Sequence, residues 1–141
     1  MIRLFLAGDV MLGRGIDQVL RFPGDPVLHE DYLKSALDYV RLAERANGPI
    51  PRGNDLGYVW GDASAVLQGA NVDARIINLE TAVTDAGAPE PKGINYRMNP
   101  RNASGLRQLG IDCCVLANNH VLDWGPDGLA QTLHTLSLIH I

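Results

Sequence analysis

The chain has 141 residues, 46% hydrophobic and 20% charged, the composition of one ordinary folded domain. A formal net charge of −4 and an isoelectric point near 5.4 exclude a nucleic-acid partner, because no basic stripe exists to neutralise phosphates. No apolar run is long enough to cross a bilayer.

Met1-Ile2-Arg3-Leu4 passes directly into a strand pattern and leaves no room for a signal peptide. The expected compartment is therefore the cytoplasm. The first strand, Ile2 to Ala7, reads as buried on both faces, like a central strand. It runs into Gly8-Asp9-Val10-Met11-Leu12-Gly13-Arg14-Gly15, whose glycines permit a sharp turn and a close ligand. No dinucleotide or P-loop fingerprint can be laid over it. Asp9 at the strand end suits a metal ligand, and Arg14 an anion clamp.

Phe22 to Pro26 reads as loop, and His29 and Glu30 as solvated entry residues to a helix over Asp31 to Ala46. Leu33, Leu37, Val40 and Ala43 give that helix one apolar face, and Asn47-Gly48-Pro49 stops it. Pro49 to Gly57 is too punctuated for regular structure and reads as a lid or substrate loop. Ala63 to Gln68 is a short helix with Asp62 as its N-cap. A second strand, Arg75 to Ile77, then delivers Asn78, Leu79 and Glu80. A carboxylate leaving an apolar strand needs a partner or a cation.

Thr84 to Gly93 reads as a mobile segment, and Ile94 to Met98 as a short strand. Asn99-Pro100 starts a helix that ends at Gly110. Cys113 and Cys114 lie in the third strand, Ile111 to Ala117. As neighbours they point to opposite faces, so they read as two buried thiols rather than a disulfide. That strand stops at Asn118-Asn119-His120, followed by Asp123-Trp124-Gly125, and a last helix carries Leu129, Thr132, Leu133 and Leu136. The order is α/β with a mainly parallel sheet. No strand follows to receive the last helix, so the chain reads as the N-terminal portion of a larger sheet, with an unpaired edge and exposed apolar surface.

Three strand ends thus offer Asp9, Glu80 and Asn119 with His120, a mixed oxygen and nitrogen set of the kind divalent cations take. Gly8 to Arg14, Asn78 to Thr81 and Ala117 to Gly125 resemble, in the same order, the motifs of the CapA family. Its members are bacterial capsule and poly-γ-glutamate synthesis proteins, PgsA-like, related to calcineurin-like metallophosphoesterases. The resemblance spans nearly the whole chain. It implies a layered α/β/β/α metallophosphoesterase-like sandwich, of which residues 1–141 would be a partial domain.

By that resemblance Asp9, Glu80 and Asn119 are metal ligands, and His120 is the proton donor to the leaving group. Asp123 orients His120. Arg14, Asn78 and Asn118 bind substrate, an anionic small molecule or a polyanionic polymer. Met11 stands where the phosphoesterases carry a histidine, and their later histidine motifs fall beyond Ile141. The expectation is therefore one weakly held divalent cation, Mn, Mg, Zn or Fe. The function implied is a metal-dependent hydrolase linked to capsule or poly-γ-glutamate synthesis. The alternative is a non-catalytic component that binds the polymer or a synthase partner through Arg14, Arg97 and the loop from Pro49 to Gly57.

Overall fold

The computed structural model describes residues 1–141. Its centre is the apolar run of β2 (Ala74–Leu79), which pairs in parallel with β1 (Leu4–Val10) on one side and β5 (Cys113–Val115) on the other. The helices are α1 (Arg14–Asp17), α2 (Ala36–Asn47), α3 (Leu56–Trp60), α4 (Ala63–Gly69), α5 (Ser104–Gln108) and α6 (Gly125–Leu138). Two-residue strands β3 (Ala82–Val83) and β4 (Arg97–Met98) make a second, parallel sheet. The alternation of strands and helices is the α/β arrangement expected from the sequence, and no helix is long and apolar enough to cross a membrane.

One face of the three-stranded sheet makes the core. Ile77 and Leu79 of β2 are buried there with Leu67 of α4, Leu106 of α5, and Leu109 and Ile111 beyond it. The other face is left open by the helices. Leu4 and Leu6 are 53% and 67% exposed and Val115 is 42% exposed. The register Leu6–Ile76–Cys113 puts these side chains on one apolar surface. The expectation of a first strand buried on both faces is thus corrected: β1 is an edge strand with one open face. Parallel sheets are normally covered on both faces.

Several local readings change with the packing. The helix expected from Asp31 starts at Ala36, where the Ser35 hydroxyl accepts from Leu37 N at 3.3 Å and supplies the cap. The residues before it fold back, with Leu28 N donating to Lys34 O. Glu30, read as solvated, is 1% exposed and ion-paired with Arg14, because burial among Arg14 and Tyr39 supplies the partners a carboxylate needs. The irregular segment after Pro49 gives way at Leu56 to α3. Cys113 is exposed and Cys114 half-buried, since Cys113 lies on the open face. The segment from Thr84, read as mobile, is fastened to α6: Gln131 Oε1 accepts from the backbone N of Asp85 and Ala86 at 2.9 and 3.0 Å. Thr132 Oγ1 accepts from Val83 N at 3.0 Å.

Asp17, 2% exposed, ties three separate segments together. Its carboxylate accepts from Gly24 N at 2.7 Å, Asn99 N at 3.0 Å and Asn102 Nδ2 at 2.9 Å. Burial pushes the Asp17 carboxyl above its ordinary value, and the three donors offset this only in part. A raised folded-state value gives a contribution to stability that is complete at low pH and lost as pH rises through that value. We therefore expect the stability of the wild type relative to Asp17→Asn to decline as pH rises above the ordinary carboxylate range, measured by thermal melts; parallel profiles would refute it. Burial, with Cys113 beside it, pushes the Cys114 thiol up to about 12. Alkylation at neutral pH followed by mass mapping should modify Cys113 and spare Cys114.

Candidate functional site at the strand ends

The carboxyl ends of β1, β2 and β5 lie side by side, and a β-bulge sets what they present. The register runs Ala7–Ile77 and then Asp9–Asn78, so Gly8 is an extra residue in β1. A bulge re-aims the following side chain. Here it puts Asp9 opposite Asn78, whose Nδ2 donates to Asp9 Oδ1 at 2.8 Å and to Glu80 Oε2 at 2.6 Å. Two carboxylates from different strands therefore converge on one amide nitrogen. Asn118 Nδ2 extends the network to Asn78 Oδ1 at 2.9 Å and to Leu79 O at 3.0 Å.

The turn after β5 carries the imidazole. His120 N donates to Asn118 Oδ1 at 3.0 Å, and its Nδ1 lies 2.7 Å from Asp123 Oδ2. Asp123 is 0% exposed, and as an acceptor it fixes the proton on Nδ1. Nε2 is left without a proton and sits 3.9 Å from Glu80 Oε1. The ring stacks on Tyr96 with centroids 3.9 Å apart. Asp123 also receives Lys92 Nζ at 2.5 Å and Tyr96 N at 2.5 Å. Charged and neutral donors together replace the water this carboxylate has lost.

Of the residues expected from the sequence, Asp9, Asn78, Glu80, Asn118, His120 and Asp123 form one connected array. Asn119 and Arg14 do not join it. Asn119 is exposed, and its backbone carbonyl, not its side chain, accepts from Lys92 Nζ at 2.8 Å. Arg14 turns away to pair with Glu30 and Tyr39, with its guanidinium carbon 4.4 Å from the Tyr39 ring centroid. Lys92 and Tyr96 are the residues the sequence reading missed. They reach Asp123 across 31 and 27 positions, and no local spacing signals such a contact.

No group of three or more His, Cys, Asp or Glu side chains comes together to hold a metal ion. The cation ligands that do converge are two carboxylate oxygens, with the Asn78 amide nitrogen between them and its oxygen taken by Asn118. That set fits an oxygen-preferring cation such as Mg²⁺ or Mn²⁺, bound by one or two carboxylates with much of its shell left to water. It does not fit a tetrahedral site of nitrogen and sulfur ligands.

Comparison with known proteins agrees with the motif order. Residues 3–141 match the model of the bacterial capsule synthesis protein family PGA_cap. Probable polyglutamine synthesis accessory proteins from two Mycobacterium tuberculosis strains, CDC 1551 / Oshkosh and H37Rv, are each 48% identical over 137 residues, covering 96% of this chain. The chain spans 36% of the length of those relatives. It belongs to the bacterial capsule synthesis family PGA_cap, the CapA-like group that its three strand-end motifs resemble.

Proposed function

We propose that the strand-end array is part of the centre of a metal-dependent hydrolase, of the metallophosphoesterase type, serving capsule or poly-glutamate synthesis. The observation that carries this reading is the convergence of Asp9 Oδ1 and Glu80 Oε2 on one point, 2.8 and 2.6 Å away, beside a histidine with a locked tautomer. Asp9 and Glu80 would hold one divalent cation; Asn119, the third ligand implied by the resemblance, stands outside the array. Such a cation polarises a phosphoryl or carbonyl oxygen and lowers the pKa of water to about 7.

His120 would work through Nε2, the nitrogen that faces Glu80. With Nδ1 held by Asp123, a proton picked up at Nε2 makes an imidazolium whose charge Asp123 balances, and Nε2 then returns it to the leaving group. Lys92 pairs with Oδ1 of the same carboxylate, which leaves Oδ2 to orient the ring. Asn78 and Asn118, assigned to substrate by the resemblance, spend their amide hydrogens inside the protein, on Asp9, Glu80, Asn78 Oδ1 and Leu79 O, and so position the carboxylates. Arg14 has no part in this reading, since Glu30 already neutralises it.

A second reading, a non-catalytic component that binds the polymer, is favoured by the lack of a three-side-chain metal group. Against it, Arg14 is neutralised and Arg97 lines a partly enclosed cavity of about 190 Å³, too small for a polymer strand. The test uses the full-length protein with Mn²⁺ and aryl phosphate mono- and diesters. Hydrolysis is expected, lost in Asp9→Asn and Glu80→Gln together with Mn²⁺ binding, and reduced by roughly 100-fold or more in His120→Asn with Mn²⁺ binding kept. Inertness toward both ester classes, combined with polyanion binding that survives chelation, would overturn it in favour of the second reading.

A further inference from the structure

Trp124 lines a cavity of about 190 Å³, room for roughly six waters at about 30 Å³ each. Arg97 lines it, with its side chain 18% exposed and its guanidinium carbon 3.9 Å from the Trp124 ring centroid. The ring fixes the plane of the guanidinium. Its one ion pair is Asp25 Oδ2 at 3.2 Å, a carboxylate whose own side chain is 58% exposed. An exposed, single-oxygen contact of that kind contributes little. A planar cation held in place with its N–H groups otherwise unused suits a carboxylate, which it can grip in bidentate fashion.

The rest of the cavity decides what that carboxylate is attached to. Asp25 and Asp85 line it along with Thr84 and Asn99. Arg14 also lines it but is cancelled by Glu30. One available cation therefore faces three carboxylates, Asp25, Asp85 and an Asp17 whose oxygens already take three N–H donors, which repels a dianion such as phosphate and attracts a ligand bearing an ammonium. The rim is built rather than loose: Asp17 Oδ2 accepts from Gly24 N at 2.7 Å, and Gln18 Nε2 donates to Gly24 O at 3.1 Å. Both bonds hold Asp25 at the mouth. The same Asp17 carboxylate anchors Asn99 on the opposite wall.

We propose that this cavity is a binding site for a zwitterionic small molecule, a free α-amino acid, with its carboxylate on Arg97 and its ammonium toward Asp25 and Asp85. Binding replaces the Asp25–Arg97 contact by two contacts to one ligand. The site is separate from the strand-end array and needs no metal.

The experiment is calorimetric titration of the purified protein with each of the twenty amino acids, and with acetate, ethylamine and inorganic phosphate, in chelator. At least one amino acid should bind tenfold or more tightly than acetate, ethylamine or phosphate. Arg97→Gln should weaken it tenfold or more. Asp25→Asn, in an exposed loop away from the core, should narrow the preference over acetate at least threefold while the melting profile stays unchanged. The proposal is overturned if no amino acid binds below about 10 mM, where association is worth under about 3 kcal/mol. It is overturned equally if phosphate or acetate matches the best amino acid, or if a folded Asp25→Asn protein keeps the full preference. Failure here leaves the strand-end hydrolase reading intact, since that one is read by Mn²⁺ and ester hydrolysis.

Discussion

The carboxylate of Asp123 has no solvent contact and three donors, and the site depends on it. A buried charge of this kind is tolerable only when its hydrogen bonds are complete. Lys92, Tyr96 N and the His120 ring supply them. The backbone carbonyl of the same residue takes Glu90 N at 2.9 Å and Asn95 Nδ2 at 3.1 Å. One residue thus fastens the segment around Glu90 to Tyr96 onto the turn that opens α6. Removing its charge would release a lysine, loosen β4 and free the imidazole together, because a half-satisfied buried network is worse than none.

The second determinant is where the sheet is left open. The helices pack on the face of Ile77 and Leu79, and the strand ends rise from that packed layer into polar turns. Core burial fixes β2, β2 fixes the register of β1, and the Gly8 bulge then sets Asp9 against Asn78. A shift of one residue would turn Asp9 to the other side of the sheet. Precision at the array therefore comes from hydrophobic packing several residues away, as the C-terminal edges of α/β sheets generally show.

Buried polar pairs also divide the molecule into two chemical compartments. Arg14, with the left-handed φ of 55°, is held between the Tyr39 and Tyr96 rings and against Glu30. A non-glycine residue in that conformation persists where its surroundings over-determine it. The price of this fixation is that Arg14 is withdrawn from the strand ends. Tyr96 stacks on His120, while its neighbour Arg97 lines the cavity beside Trp124. Two adjacent residues, Tyr96 and Arg97, thus serve the acid–base array and the ion-lined cavity respectively.

The alternation of apolar runs with turn residues, and the three polar strand ends, were legible in the sequence because period and punctuation are local properties. So were the motifs that carry the family relation, and with them Asp9, Asn78, Glu80, Asn118, His120 and Asp123. What the sequence left open depended on distant partners. Glu30 read as solvated because burial by Arg14 and Tyr39 is invisible at that position, and β1 read as central because strand order is not written in any one strand. Lys92 and Tyr96 joined the array through loop closure alone. Asn119 and Arg14 matched a motif by position, yet the backbone turned one outward and a buried carboxylate claimed the other. Local pattern determined which groups reach the strand ends; only the tertiary packing decided which of them face one another, because side-chain direction there is set by register, bulge and ion pairing across tens of residues.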